Sequence, residues 1–212
     1  MTLVVDRYEL GPVGTNCYVV RAGRDAGEAV VIDPGADAPQ IRLELARLRA
    51  ECAAILITHC HYDHIGAVAD LAESTGAPVH VAAGERWVLE HADEVYAVLG
   101  VHIRPYADAR PVADGDTLRF AEIPFEVVLV PGHSPAHLAY HADGCLFSGD
   151  VLFAGGVGRV DLPGGDWATL LASIRLLDER YDPETVVYPG HGSPTTLGTE
   201  LRGNPFLAEL RA

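Results

Sequence analysis

The segment from Thr58 to His64 concentrates residues that can bind a metal ion. It reads Thr-His-Cys-His-Tyr-Asp-His and follows an apolar run that is typical of a buried strand. Alternate side chains of an extended segment point the same way, so His59, His61 and Asp63 can line one side of the chain. A turn at that point can then bring in His64. Neutral imidazoles and carboxylates are ligands of zinc, iron and manganese, whereas calcium and magnesium prefer oxygen ligands. A polar surface loop, the alternative interpretation, does not explain such a density of ligands.

Three later segments repeat this arrangement, in which an apolar strand is followed by a potential ligand. Ligands that come from distant positions at strand ends are held by a rigid sheet, which keeps a site open for substrate while its geometry stays fixed. One metal ion needs about three or four protein ligands, so the larger set found here indicates two ions that share a bridging group. The candidate ligands are His59, His61, Asp63, His64, His133, Asp150 and His191.

The composition fits one globular domain over residues 1–212. Hydrophobic residues make up 49% of the chain and charged residues 21%, which excludes a disordered protein. The formal net charge is -15 and no basic patch is visible in the sequence. Because such a charge repels phosphate backbones, we expect no nucleic acid partner.

The N-terminal residues and the cysteines favour a cytoplasmic protein. Met1 to Glu9 carry neither the basic nor the apolar region of a secretory signal. No apolar run approaches the ~20 residues needed to span a bilayer, so we expect no membrane association. The four cysteines show no C-x-x-C or disulfide-framework spacing, which is typical of a reducing compartment.

Hydrophobic periodicity and turn residues predict strands and helices that alternate early, strands in the middle, and a mixture late in the chain. The predicted strands are 3–10, 16–22, 29–32, 53–57, 79–82, 117–120, 125–130, 137–141, 145–147 and 185–188. The predicted helices are 38–50, 65–75, 84–91 and 166–180, with Asp166 as the N-cap of the last. A terminal helix is expected to dock Phe206, Leu207 and Leu210. The pattern predicts one α/β domain with two sheets inside and helices outside.

The ligand segments together resemble a known family. The run His-x-His-x-Asp-His, followed by Pro-Gly-His-Ser, Ser-Gly-Asp and Tyr-Pro-Gly-His-Gly, resembles the metallo-β-lactamase-fold hydrolases in their glyoxalase II-like branch. The resemblance runs from about Gly14 to the end of the chain. It implies an αββα sandwich with two mixed sheets inside and helices outside.

The resemblance also implies a role for each candidate ligand. The first metal ion would be held by His59, His61 and His133, and the second by Asp63, His64 and His191. Asp150 would bridge the two ions. Asp63 and Asp150 are therefore candidate catalytic residues as well as ligands. Asp33 matches a family aspartate that supports the ligand loop from behind without binding metal.

Within that branch the chain looks closer to the shorter bacterial members. Glyoxalase II proper carries a further helical region that grips glutathione, whereas about twenty residues follow His191 here. The matching features of the shorter members are the segment Gly158 to Gly165 and the tail Asn204 to Leu207. The resemblance implies hydrolysis of a small-molecule thioester, such as a 2-hydroxyacyl-thiol conjugate, and leaves the thiol open.

The implied mechanism uses two divalent ions, with zinc expected and iron or manganese as alternatives. Water that bridges two cations loses its proton readily, and one ion can stabilise the developing oxyanion. No nucleophilic side chain is required. Ser134 and Ser148 do not lie in a G-x-S-x-G elbow, and we expect them to form local hydrogen bonds.

Several alternatives remain open from the sequence. A mononuclear non-haem iron persulfide dioxygenase on the same scaffold would use a His, His, Asp subset around one iron. A nuclease is disfavoured by the acidic charge, and a β-lactamase by Asp150, because lactamases lack a bridging aspartate at that position.

Other residues near the motifs are candidates for supporting or substrate contacts. His137 matches a family position behind the ligands, and Arg159 either meets an acidic substrate group or forms a structural salt bridge. The remaining histidines, expected at the surface or in local hydrogen bonds, are His80, His91, His102 and His141.

Overall fold

Two mixed β-sheets pack face to face, and helices cover the outer side of each. The computed structural model describes residues 2–211, so the first and last residues of the predicted domain 1–212 lie outside the described range. Within residues 2–211, no helix has both the length and the apolar character needed to cross a membrane.

The first sheet has the strand order β1-β2-β3-β4-β5-β6. Its strands are β1 (Val4–Leu10), β2 (Thr15–Arg21), β3 (Glu28–Ile32), β4 (Glu51–Leu56), β5 (Val79–Ala82) and β6 (Arg110–Val112). The first three strands are antiparallel, and β3 to β6 are parallel. The helices that connect them are α1 (Ala38–Leu48), α2 (Tyr62–Ile65), α3 (Val68–Thr75), α4 (Arg86–Glu90) and α5 (Ala92–Ala97).

The second sheet has the order β14-β13-β10-β9-β8-β7, and β11 pairs with β12 in a separate small hairpin. These strands are β7 (Thr117–Phe120), β8 (Ile123–Leu129), β9 (Leu138–Ala142), β10 (Cys145–Gly149), β11 (Leu152–Phe153), β12 (Gly156–Val157), β13 (Val186–Pro189) and β14 (Thr195–Thr196). The helices of this half are α6 (Trp167–Arg180), α7 (Leu197–Gly203) and a 3-10 helix (Pro205–Arg211). Strand β10 lies parallel to β13, so both strands end at the same edge of the sheet.

The apolar residues form three clusters, which separate four layers. In β2, Cys17 and Val19 face the helices of the first half, whereas Tyr18 and Val20 face the second sheet. Successive strand residues point to opposite faces, so a strand buried on both sides reads as a continuous apolar run. A third cluster packs α6 and the C-terminal segment on the second sheet. The layers are therefore helix, sheet, sheet, helix, as expected from the sequence.

Two predicted helices differ from their expected form. The helix expected over residues 65–75 is divided at Gly66, where the Ala67 amide donates to the Pro34 carbonyl at 2.9 Å and α3 begins anew at Val68. In the terminal segment Leu207 is buried, but Phe206 is 52% exposed, so the prediction that Phe206 docks is wrong. The backbone is not helical at Leu207, where the segment is kinked, so there is no single continuous helix whose apolar face could bury all three residues.

Candidate metal centre

All seven predicted ligands lie in segments that follow the carboxyl ends of four strands. The segment from His59 to His64 follows β4 of the first sheet, whereas His133, Asp150 and His191 follow β8, β10 and β13 of the second. The local structure differs from the expected extended segment, because β4 ends at Leu56 and α2 begins at Tyr62. The turn of α2 therefore positions the last two ligands of the segment, and only the first two lie in irregular chain.

The first group of donors consists of three imidazole nitrogens. His59 Nε2 lies 3.0 Å from His61 Nδ1, and His133 Nε2 lies 3.2 Å and 2.8 Å from these two atoms. Ring nitrogens bound at ~2.0–2.1 Å to one tetrahedral ion would stand about 3.3 Å apart. His59 and His133 are buried and His61 is half-buried. Three converging nitrogens at these separations fit one metal ion.

The second group contains a carboxylate and two imidazoles. His191 Nε2 lies 3.2 Å from Asp63 Oδ2, and His64 Nε2 lies 3.6 Å from the same oxygen. The Thr15 hydroxyl donates to Asp63 Oδ2 at 2.7 Å, which fixes the orientation of the carboxylate. The donor atoms of this group lie within 4.8 Å of one another, as do those of the first group.

The Asp150 carboxylate lies between the two groups. Its Oδ2 is 3.5 Å from His133 Nε2 of the first group and 3.5 Å from His191 Nε2 of the second. Its Oδ1 is 3.4 Å from His64 Nε2. One carboxylate therefore faces donors on both sides, which is the arrangement expected of a bridging ligand.

Of the buried side-chain atoms that have no hydrogen-bond partner among the described residues, two belong to the predicted ligands. They are His64 Nε2 and Asp150 Oδ1, which face each other across the site. A buried polar atom without a partner costs about 1–3 kcal/mol, so such atoms point to a missing ligand. A divalent cation bound here would satisfy both atoms, and the mixed nitrogen and oxygen donors suit zinc, iron or manganese. The residues present fit two metal ions.

The electrostatics of the first group favour neutral imidazoles. Burial lowers the pKa of His59 well below its ordinary value, and the neighbouring histidines lower it further. Burial, with the nearby His133, lowers the pKa of His61 to about 4. Neutral imidazole is the form that binds metal, so this group is ready to coordinate at neutral pH.

The second group and the central carboxylate attract positive charge. Burial raises the pKa of Asp150, but the positive charge of His64 outweighs it and lowers the pKa to about 2. Burial also opposes ionisation of Asp63, yet its pKa is lowered by the hydrogen bond to His191 and the charge of His64. Both carboxylates are therefore ionised at neutral pH, as metal ligands must be.

Contacts behind the ligands fix the orientation of the rings. Asp33 accepts from His64 Nδ1 at 2.9 Å, from the Thr58 amide at 2.8 Å and from the Thr58 hydroxyl at 2.7 Å. The Thr58 hydroxyl in turn accepts from His59 Nδ1 at 3.1 Å. A hydrogen bond to one nitrogen of a histidine ring fixes the orientation of the ring and leaves its other nitrogen free to face the metal. Asp33 thus supports the ligand segment from behind, in the position that the resemblance implied.

His137 and Arg159 lie next to the donor groups without joining them. His137 is buried, its ring stacks on His59 with centroids 4.5 Å apart, and its Nε2 accepts from the Asp150 amide at 3.1 Å. The Arg159 backbone carbonyl accepts from His133 Nδ1 at 2.7 Å. The exposed Arg159 guanidinium forms a salt bridge with Asp161 at 2.6 Å. Of the two roles expected for Arg159, the structure therefore shows the structural salt bridge.

The serines and the remaining histidines lie outside the donor groups. Ser134 donates to Glu85, and Ser148 donates to the Leu152 carbonyl at 3.1 Å, so both form local hydrogen bonds as expected. His80 is buried against Phe120, so its prediction as a surface or locally bonded residue is wrong. The others make local contacts, as expected, and are His91, His102 and His141.

Residues of β2 hold the loop that carries His191, a role that the sequence did not indicate. The Asn16 side-chain amide donates to the carbonyls of Pro189 and Gly192 at 2.8 and 2.9 Å. The Tyr18 hydroxyl donates to the Pro189 carbonyl at 2.6 Å. Both residues lie in a strand predicted from the sequence, but their partners lie more than 170 positions away along the chain.

Gly190 lies where two parts of the site approach closely. Its amide donates to the Gly149 carbonyl at 2.8 Å, and its carbonyl accepts from the Asn16 amide at 2.7 Å. A Cβ atom at this position would overlap Asp150 Oδ1 and lie 2.7 Å from His64 Cε1. Only a residue without a side chain fits here.

Comparison with known proteins agrees with this geometry. The family model of the "Metallo-beta-lactamase superfamily" matches residues 10–191. The chain belongs to the metallo-beta-lactamase superfamily. The αββα sandwich predicted from the sequence is therefore confirmed, and the family and the His/Asp cluster together indicate a metallohydrolase with a metal-binding site.

Relatives within the superfamily cover nearly the whole chain. Hydroxyacylglutathione hydrolase GloC of Haemophilus influenzae is 35% identical over 91% of this chain and 92% of that protein. The crystal structure of TTHA1623 in a di-iron-bound form is 42% identical, with a TM-score of 0.85 over 96% of this chain and 100% of that chain. The crystal structure of BLEG-1 B3 metallo-beta-lactamase is 40% identical, with a TM-score of 0.90 over 97% of this chain and 100% of that chain.

Proposed function

We propose that this protein hydrolyses a thioester between a 2-hydroxy acid and a small thiol, of the S-lactoylglutathione type. The observation that carries the proposal is the position of Asp150, whose two oxygens face donors of both groups. A complete second group is what a binuclear hydrolase needs. The similarity to the hydroxyacylglutathione hydrolase of Haemophilus influenzae supports the choice of a thioester.

In this proposal each ligand has the role that the resemblance implied. Two bound divalent cations, expected to be zinc with iron or manganese as alternatives, would supply an activated water and stabilise negative charge on the carbonyl oxygen. The first ion would be held by His59, His61 and His133, the second by Asp63, His64 and His191, and Asp150 would contact both. The carboxylates of Asp63 and Asp150 offset part of the positive charge.

A small substrate can approach from the side on which the ligands are exposed. His59 and His64 are fully buried, whereas the side chains of His191 and Asp63 are 29% and 14% exposed. His61 is also half-buried. The thioester carbonyl would enter from this open side, where donors of both groups reach the surface.

The test is an anaerobic assay of thiol release from S-lactoylglutathione by protein loaded with zinc, iron or manganese. We expect cleavage without oxygen. The variant His191→Ala should lower kcat by on the order of a hundredfold, because loss of one ion removes stabilisation of transition-state charge. The matched control is His102→Ala, since the side chain of His102 is 86% exposed on the outer surface, and it should leave kcat unchanged.

Two results would replace this proposal with another. If thioester cleavage is absent while glutathione persulfide drives oxygen consumption that survives His191→Ala, the protein is a mononuclear iron dioxygenase. If a chromogenic cephalosporin is cleaved faster than any thioester, the chain acts as a β-lactamase, an alternative raised by the similarity to BLEG-1.

A further inference from the structure

Glu85 is a buried carboxylate that contacts the backs of two ligand loops. It lies immediately before α4 and is 5% exposed. Its Oε2 accepts from the Cys60 amide at 2.5 Å. Its Oε1 accepts from the Ser134 hydroxyl and from the Ala136 amide, the latter at 3.3 Å. Cys60 lies between His59 and His61, and Ser134 follows His133, so one side chain joins the two loops that carry the first donor group.

The hydrogen bonds leave the Cys60 backbone little freedom. Its amide donates to Glu85, and its carbonyl accepts from the Tyr96 hydroxyl at 2.5 Å. The side chains on either side of Cys60 are metal-ligand candidates, so fixing both backbone groups of this residue fixes the peptide planes next to which both rings are attached. A metal site requires ligand distances within about 0.2 Å of their ideal values.

The Glu85 carboxyl group is buried with no cationic side chain among its hydrogen-bond partners in the described residues. Those partners are two amides and a hydroxyl. Burial of a carboxylate without a cation is costly, so such groups are retained where they hold a structure or face a positive charge. Asp33 is the corresponding buried carboxylate behind His64 of the second group. Each donor group thus has one carboxylate behind it.

We propose that Glu85 is a positioning residue for the first metal ion. It ties the loop of His59 and His61 to the loop of His133 and offsets part of the charge of the ion that the three rings hold. This inference rests on the proposed function, because it requires that the first group binds a metal ion.

The test compares Glu85→Gln with a matched control, Glu94→Gln. The glutamine amide keeps the volume of the side chain, but its nitrogen cannot accept a hydrogen bond, so one of the two loops loses its acceptor. Glu94 is exposed on α5, so its replacement changes the net charge equally without touching the site. Metal-free protein is titrated with Co²⁺ and Zn²⁺ against a chelator, and the visible spectrum of bound Co²⁺ is recorded.

We expect Glu85→Gln to weaken binding of the first ion by about 10- to 100-fold and to alter the Co²⁺ spectrum, whereas Glu94→Gln should match the wild type. If Glu85→Gln binds both ions with wild-type affinity and spectrum, the inference is wrong and the binuclear proposal stands. If the wild type itself binds fewer than two ions, the proposed function fails instead.

A second variant keeps the test decisive if Glu85→Gln does not fold. Ser134→Ala removes one donor to the carboxylate and leaves the other two. It should fold normally by circular dichroism and weaken binding of the first ion several-fold. An unchanged affinity in folded Ser134→Ala would overturn the proposal in that case.

Discussion

The substitution Gly190→Ala should disrupt the metal site without unfolding the protein. A Cβ at Gly190 would overlap Asp150 Oδ1 and lie 2.7 Å from His64 Cε1, where ordinary contacts begin at 3.4 Å. The His64 ring or the loop must therefore move by at least about 0.7 Å, and the Asp150 carboxylate by more.

The expected loss follows from the tolerance of such sites. Metal–ligand distances are maintained within about 0.2 Å, so this displacement exceeds what the second group can absorb. A misplacement of about 1 Å in a catalytic site costs about a hundredfold in rate. We therefore expect Gly190→Ala to lose the second ion and to show kcat reduced by about a hundredfold.

The matched control is Gly192→Ala, on the other side of His191. Gly192 has φ +77°, but a Cβ there would meet no atom within 4 Å, so the variant bears only the strain of a left-handed conformation, about 1–2 kcal/mol. The assays are metal content by elemental analysis, thermal unfolding and thioesterase kinetics. Retention of two ions and full activity by Gly190→Ala would refute the argument that Asp150 and His64 are fixed ligands of one centre.

Two further predictions follow from single side chains. Asp150→Ala should lose at least the ion of the second group, because one carboxylate faces both groups, and elemental analysis that still finds two ions would exclude Asp150 as the bridge. Asp166→Ala should lower the free energy of unfolding by about 1 kcal/mol in urea denaturation, because the Asp166 carboxylate caps α6 by accepting from the Thr169 amide at 2.8 Å. Metal content should stay unchanged in the second variant, and a loss of metal would contradict a purely capping role.

Much of the fold could be predicted because its strands and longest helix are regular. Strand β3 is a continuous apolar run because both faces are covered, and α6 begins after an aspartate that caps it as predicted. The division of the helix after Gly66 could not be predicted, since it depends on contact with the Pro34 carbonyl, more than 30 positions earlier in the chain.

The candidate ligands could also be found from the sequence, because histidines and aspartates recur in the short segments that follow apolar strands. The contacts that support these ligands could not be predicted from the sequence. Glu85 lies between a glycine and an arginine with no pattern around it, and its partners are 25 to 51 positions away. In the sequence, Tyr18 and Asn16 are ordinary strand residues. Their role becomes visible only in the structure, where they contact the loop of His191.

The distribution of the ligands between the two sheets affects how the protein unfolds. One loop of the first sheet and three loops of the second supply the donors, and the outermost of these, His59 and His191, are separated by most of the chain. Ions held there would act as cross-links between two halves whose shared core is a cluster of apolar side chains. Such cross-links restrict the unfolded chain most when they close long loops. Separation of the sheets would therefore release the metal, and release of the metal would in turn remove a cross-link between the sheets.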